Sequence, residues 1–404
     1  MPLSRNYAFL LLVFFLSSNA IAQSNEDNVP TTRAGEIQAE RMEKAQNVQA
    51  PEPSAIGKQA ARVADVIRVV PIRVVSEGLG TGHGFGIGAV FQWYKHDDQI
   101  LWRLWGLEMR HNFYRAGAAM QFQNLTKQDL SFTLQGVRAD APQLDYYGPG
   151  PNSSVNNHTN YRLETTLFDF RGELRAHPHF VPACHVGGLL LNVGPGTNSS
   201  LPSTETVFGP AAAPGIDQQS NYVVAGCSAQ LDLRDIPEDP RKGTYLGGFY
   251  EHYDAQKSNR FSFNRVSAQA EENIPFFNRK RVITVRANTV LSWHNDNQVV
   301  PFYLQPTLGS DTELRGFPRY RFYDENSTAM TAEYRWEINN GMDAVMFFDT
   351  GQVFHRPGSF SLSEIESSAG FGFRFKDGRN LLARVDFGFS REGFQAWLKF
   401  GKLF

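Results

Sequence analysis

From Val66 to the end of the chain, apolar and polar residues alternate with a period of two. Phe85, Ile87, Ala89, Phe91 and Trp93 alternate with Gly84, Gly86, Gly88, Val90 and Gln92, giving each stretch a greasy face and a small or polar one. The last three segments repeat the pattern. Phe371, Phe373 and Phe375 alternate with Gly372, Arg374 and Lys376, and Ala383, Val385, Phe387 and Phe389 alternate with Arg384, Asp386 and Gly388. Phe394, Ala396, Leu398 and Phe400 then alternate with Gln395, Trp397 and Lys399. Charge falls on one face only, as in strands with lipid on one side and a polar interior on the other.

The alternation predicts strands near 66–76, 84–94, 99–110, 111–124, 128–140, 160–175, 181–194 and 222–234. Eight more are predicted near 244–255, 260–273, 281–293, 328–338, 342–354, 368–376, 381–390 and 393–403. Short turns (124–128, 176–181, 235–243, 274–280) alternate with long polar loops (141–160, 194–221, 294–327), as in barrels whose short turns face the periplasm and whose long loops face outward. The expected fold is all-β: a transmembrane antiparallel β-barrel of about 16 strands over residues 66–404, since roughly 9 to 11 residues per strand suffice to cross a bilayer.

Ahead of the barrel, Arg5, the apolar run Ala8 to Leu16 and Ala20-Ile21-Ala22 read as a secretory signal over residues 1–22, cleaved before Gln23. The alternative, a membrane anchor, needs roughly twice that apolar length. Residues 23–65 are polar and broken by Pro51 and Pro53, and read as a flexible periplasmic lead-in. Composition agrees with a barrel. Thirty-two Phe, fourteen Tyr and thirty-five Gly accompany only 41% hydrophobic residues. A net charge of −2 gives no reason to expect a nucleic-acid partner. Cys184 and Cys227 fall on strands placed side by side; a disulfide and two separate thiols both remain open.

Chemistry is sparse. Gly84-Phe85-Gly86-Ile87-Gly88-Ala89 fits a loose dinucleotide pattern but lies inside an alternating strand with no helix after it. His177, His179, Cys184 and His185 lack a regular zinc spacing, with Pro178 and Pro182 among them. Asp232, Asp235, Glu238 and Asp239 lack a glycine-centred calcium loop and read as a solvated turn. No nucleophile elbow, zinc-protease helix or rim triad of an outer-membrane phospholipase can be assembled, so no enzyme, metal or cofactor is expected.

Three segments give the chain a family resemblance: Leu314-Arg315-Gly316-Phe317, then Phe347-Phe348-Asp349-Thr350-Gly351, then the terminal Gly401-Lys402-Leu403-Phe404. Together they resemble the BamA/TamA superfamily of outer-membrane barrels, the bacterial surface antigen family. Asp232-Leu233-Arg234-Asp235 running into Pro240 and Gly243, and Tyr147-Gly148-Pro149-Gly150-Pro151-Asn152, add to the likeness. The resemblance implies that the Arg-Gly-Phe loop folds into the lumen and that Arg315 meets carboxylates on the inner wall. Glu333 and Asp349 are expected to point inward, because Tyr334, Trp336 and Phe348 alternate with them toward lipid. Phe400, Gly401 and Phe404 resemble the terminal signal that the barrel-assembly machinery reads during biogenesis. The surroundings implied are outer-membrane lipid and lipopolysaccharide. Members that insert or translocate proteins usually carry POTRA domains, for which residues 23–65 are too few. The expected function is assistance to insertion or translocation of proteins or lipids at the outer membrane; the other reading is a passive pore or structural surface antigen.

Overall fold

The computed structural model describes residues 72–78, 85–95, 99–109, 112–126, 129–377 and 380–400. The signal, the lead-in, Pro71 of the first expected strand and the terminal Gly401 to Phe404 lie outside the described residues. Within them, sixteen strands form one antiparallel sheet in which each strand pairs with the next along the sheet. The first eight are β1 (Ile72–Gly78), β2 (Phe85–Lys95), β3 (Ile100–Met109), β4 (Phe113–Phe122), β5 (Leu130–Tyr146), β6 (Thr159–Leu174), β7 (Phe180–Pro195) and β8 (Tyr222–Asp232). Then come β9 (Gly243–Ala255), β10 (Phe263–Phe276) and β11 (Arg281–Trp293). The two-residue strands β12 (Thr307–Leu308) and β13 (Phe322–Tyr323) pair with each other inside the long loop that follows. The wall resumes with β14 (Asn326–Asn339), β15 (Met342–Phe354), β16 (Glu366–Asp377), β17 (Asn380–Ser390) and β18 (Gly393–Phe400). β1 and β18 lie side by side.

The faces sort as the alternation requires. Phe371, Phe389 and Phe394 project outward, while Arg374, Asp386 and Trp397 from the same three strands are buried within the lumen. No helix among the described residues is long and apolar enough to cross a membrane. Along the sheet each strand's backbone polar groups are satisfied by its neighbours, the arrangement by which strands rather than helices can pass through lipid.

Two departures from the sequence pattern have local causes. β5 continues past residue 140 to Tyr146, through a register shift between Ala141 and Leu144. Pro142 interrupts the alternation there, and the bulge absorbs the residue that cannot donate to the ladder. β12 and β13 are too short to show any periodicity. Both departures build the long-loop end of the barrel. There Tyr146, Tyr161, Phe302 and Tyr323 form a buried aromatic cluster, with Tyr146 against Tyr323 at 4.9 Å and Tyr161 against Phe302 at 4.8 Å between ring centres.

Cys184 on β7 stands directly opposite Cys227 on β8, and the two form a disulfide. The paired alternative is thus the one realised, and Cys184 is not available as a metal ligand. The bridge spans 43 positions of sequence. Closing a loop of that length removes about 4 kcal/mol of chain entropy from the unfolded state in the simplest account. Reductant should therefore lower the urea midpoint of the folded barrel, followed by heat-modifiable gel mobility. A Cys184→Ala/Cys227→Ala variant should start at the lower midpoint and ignore reductant.

Candidate functional site

The loop between β11 and β14 turns into the barrel and carries its own apolar base. Leu308, Leu314, Phe317 and Phe322 pack on Ala329 of β14 and Val353 of β15, and Phe317 meets Phe322 at 5.1 Å. Leu314 takes a left-handed conformation (φ 51°), and the Phe317 amide donates to its carbonyl at 2.9 Å. This tight turn is strained for a branched residue, and its burial offsets the strain. It aims the next side chain, Arg315, straight at the wall.

Arg315 is almost fully buried. Its Nε and Nη2 donate to the two oxygens of Asp349 at 2.9 and 2.8 Å, and its backbone amide donates to Asp349 Oδ2 at 3.0 Å. Nη1 donates to Glu333 Oε2 at 3.0 Å and stands 3.8 Å from Asp386 Oδ2. The guanidinium lies 3.4 Å above the centre of the Phe347 ring. A planar fork can satisfy a bidentate carboxylate, a second acid and an aromatic face at once; a lysine cannot.

The carboxylates are themselves held. Thr331 donates to Asp349 at 3.0 Å, and Arg374 reaches Glu333 at 3.3 Å and Asp386 at 2.6 Å. Arg384 stands 3.5 Å from Asp386 and donates to Asp311 of the loop at 2.9 Å, where Lys399 and Arg319 also arrive at 3.0 and 3.1 Å. Cations and carboxylates thus interleave across β14 to β18. Close backbone approach completes the contact. Trp397 of β18 donates its indole N–H to the Arg315 carbonyl at 2.7 Å, and Ser390 donates to the Gly316 carbonyl at 2.7 Å. A Cβ on Gly316 would come within 2.7 Å of the Phe389 backbone, and one on Gly388 would overlap the Arg315 carbonyl. Gly351 leaves room for Leu308 of the loop, whose Cδ1 would be 3.1 Å from a Cβ there.

The structure therefore brings Leu314, Arg315, Gly316, Phe317, Glu333, Phe347, Asp349 and Gly351 together. Phe400 lies at the end of β18, opposite Ala383 of β17. Gly401 and Phe404 lie outside the described residues.

Sequence reasoning missed a second buried guanidinium. Arg321 donates to Glu392, in the turn between β17 and β18, at 2.7 and 2.8 Å, and to Ser153 Oγ and its carbonyl at 2.8 and 2.6 Å. Rings of Tyr147 and Phe322 lie 4.8 and 4.5 Å from it. It bolts the loop to the Gly-Pro-Gly-Pro segment, where the Gly150 amide donates to the Tyr323 carbonyl at 2.7 Å. The reading of Asp239 as a solvated acid is also corrected. Arg335 donates to Asp239 at 2.6 Å and to the Pro240 carbonyl at 2.9 Å, and Arg241 donates to Asp343 at 2.9 and 2.8 Å. The turn between β8 and β9 is thereby drawn under the wall.

Sheet and loop together define an antiparallel β-barrel with a long loop locked to the inner face of its wall. Residues 206–395 match the model of the Omp85 superfamily domain. Among solved structures, the chain is similar to BamA from Haemophilus ducreyi lacking POTRA domains 1–3, at 12% identity and a TM-score of 0.63, covering 82% of this chain and 70% of that one. CdiB from Acinetobacter baumannii aligns at 10% identity and 0.51, over 82% of this chain and 59% of that one. CdiB from Escherichia coli aligns at 12% identity and 0.50, over 81% and 62% respectively. The chain thus spans less than two thirds of either CdiB. No curated protein matches it by sequence.

Removing one partner from a buried ion cluster strands the others, at about 3–5 kcal/mol. Arg315→Ala should lower the urea midpoint accordingly, with Arg315→Lys intermediate because it keeps the charge but not the fork. In the loop, burial raises the Asp311 carboxyl, but Arg384, Lys399 and Arg319 outweigh it and hold it below the ordinary aspartate value. A carboxyl lowered on folding contributes stability above about pH 4 and loses it as pH falls through the lower folded value. Asp311→Asn should accordingly flatten the acid limb of a stability profile measured by urea midpoint between roughly pH 3 and 6.

Proposed function

We propose that this barrel assists the insertion or translocation of proteins or lipids at the outer membrane, and that it does so without chemistry of its own. On this reading residues 1–22 export the chain, residues 66–404 form the working domain and the terminal Phe400 to Phe404 segment is read by the barrel-assembly machinery. Lipopolysaccharide and phospholipid surround the wall. The observation that carries the proposal is the hydrogen bond from Trp397 of β18 to the Arg315 carbonyl at 2.7 Å. It ties the loop lock to the strand that lies beside β1, the pair at which a barrel would open sideways. The ion cluster then serves as a latch whose state the terminal strand shares.

A passive pore fits less well. The aromatic cluster around Tyr146 and Phe302 packs the long loops together, and Arg335 and Arg241 hold the turn carrying Asp239 against β14 and β15, which favours a closed end over an open channel.

The test is client folding. The full chain is reconstituted into vesicles, an unfolded small outer-membrane barrel is diluted in, and its heat-modifiable folded band is followed in time. Folding several times faster than in empty vesicles is expected, and cysteines cross-linking β1 to β18 should abolish the gain. A rate equal to that in empty vesicles contradicts the proposal.

A further inference from the structure

The turn between β10 and β11 has no part in the loop lock, yet it is unusual in backbone and in charge. Phe277, Asn278 and Arg279 are three consecutive non-glycine residues in the left-handed region, with φ of 47°, 56° and 62°. Such conformations persist where the structure holds a side chain in a required place. What this turn holds out is Phe277, at 69% exposure the most exposed aromatic ring among the described residues. Arg279, Lys280 and Arg281 follow it directly.

Register puts Arg281 at the short-turn rim, on the outward face. Arg281 pairs with Phe276 across the turn and with Trp336 on β14. Trp336, Ile274, Ile283 and Ile338 all project outward around it. The Arg281 guanidinium lies 4.8 Å from the Phe277 ring centre and 5.7 Å from that of Trp336. Aromatic rings beside a cation keep its stem in the apolar layer while its head reaches the boundary. Among the described residues, no ion pair engages Arg279, Lys280 or Arg281. Asp235 is the acid whose charge acts on Arg279, and its Oδ1 accepts the amides of Ile236, Arg241 and Lys242. Three adjacent cations with no carboxylate in ion-pair contact, beside exposed rings, have the chemistry of a phosphate site at a membrane surface.

We infer that the β10–β11 turn binds the headgroup phosphate of an anionic phospholipid in the periplasmic leaflet, with Arg279, Lys280 and Arg281 as ligands and Phe277 seated among the acyl chains. Short turns mark the periplasmic end of such barrels. The site is independent of the client-folding reading and stands if that reading fails.

The full chain, refolded in detergent, is titrated with phosphatidylglycerol and separately with phosphatidylcholine, and retained lipid is counted by native mass spectrometry. Each cation near a surface phosphate contributes about a five-fold preference. The wild type should favour phosphatidylglycerol strongly, and Arg279→Gln/Lys280→Gln/Arg281→Gln should fall to the phosphatidylcholine level. Arg279→Lys/Arg281→Lys should keep most of the preference. Heat-modifiable mobility checks that each variant is folded, which these exposed sites permit. Equal retention of both lipids by the wild type, or undiminished retention by the triple variant, overturns the inference. Complete displacement of phosphatidylglycerol by equimolar inorganic phosphate also overturns it, since the site would then take a free anion, as would capture of an acidic peptide in preference to the lipid.

Discussion

The bidentate contact of Arg315 with Asp349, extended to Glu333, is the interaction on which the rest depends. A guanidinium and two carboxylates inside a barrel are each costly to remove from water, and only mutual satisfaction makes their burial tolerable. Every neighbour follows from that requirement. Leu314 bends the backbone to deliver the side chain, Phe347 floors it, and Gly316 and Gly388 let loop and wall approach to hydrogen-bonding distance. Arg374 and Arg384 balance the surplus acid at Asp386 and Asp311. An apolar plug of equal volume would pack as well but would slide; the fork fixes one position.

The wall is unequal around its circumference. Interleaved charge fills β14 to β18, whereas β3 to β5 line a cavity of about 290 Å³ between Leu101, Arg103, Trp105, Gln121 and Gln135. The side laced by ion pairs is the one that carries the loop and ends at the terminal strand. Arg321 extends the same logic outward, joining the loop to the turn between β17 and β18 and to Ser153. The loop is thus held at its tip by Arg315 and at its exit by Arg321.

Much of this was legible in the sequence because a barrel strand repeats every two residues, and that period survives burial on one side and lipid on the other. Sixteen strands, their faces and the inward aim of Glu333 and Asp349 all follow from it. Asp386, Arg374 and Trp397 were placed on the inner face yet not joined to the site, because joining them requires register across three strands. Arg321 lies in a loop with no period, and its partners are 71 and 168 residues away. Asp239 looked solvated for a similar reason: its partner Arg335 is 96 residues distant and is reached only by folding the turn under the wall. The disulfide could not be chosen from spacing, since pairing depends on β7 and β8 meeting at exactly opposed positions, which only the ladder supplies.

Single-channel conductance of the full chain in planar bilayers, wild type beside Arg315→Ala, tests the lock most directly. A quiet wild type and a variant that opens in frequent large steps is the result this account predicts. A large steady conductance in both, or silence in both with the variant fully folded, would contradict it.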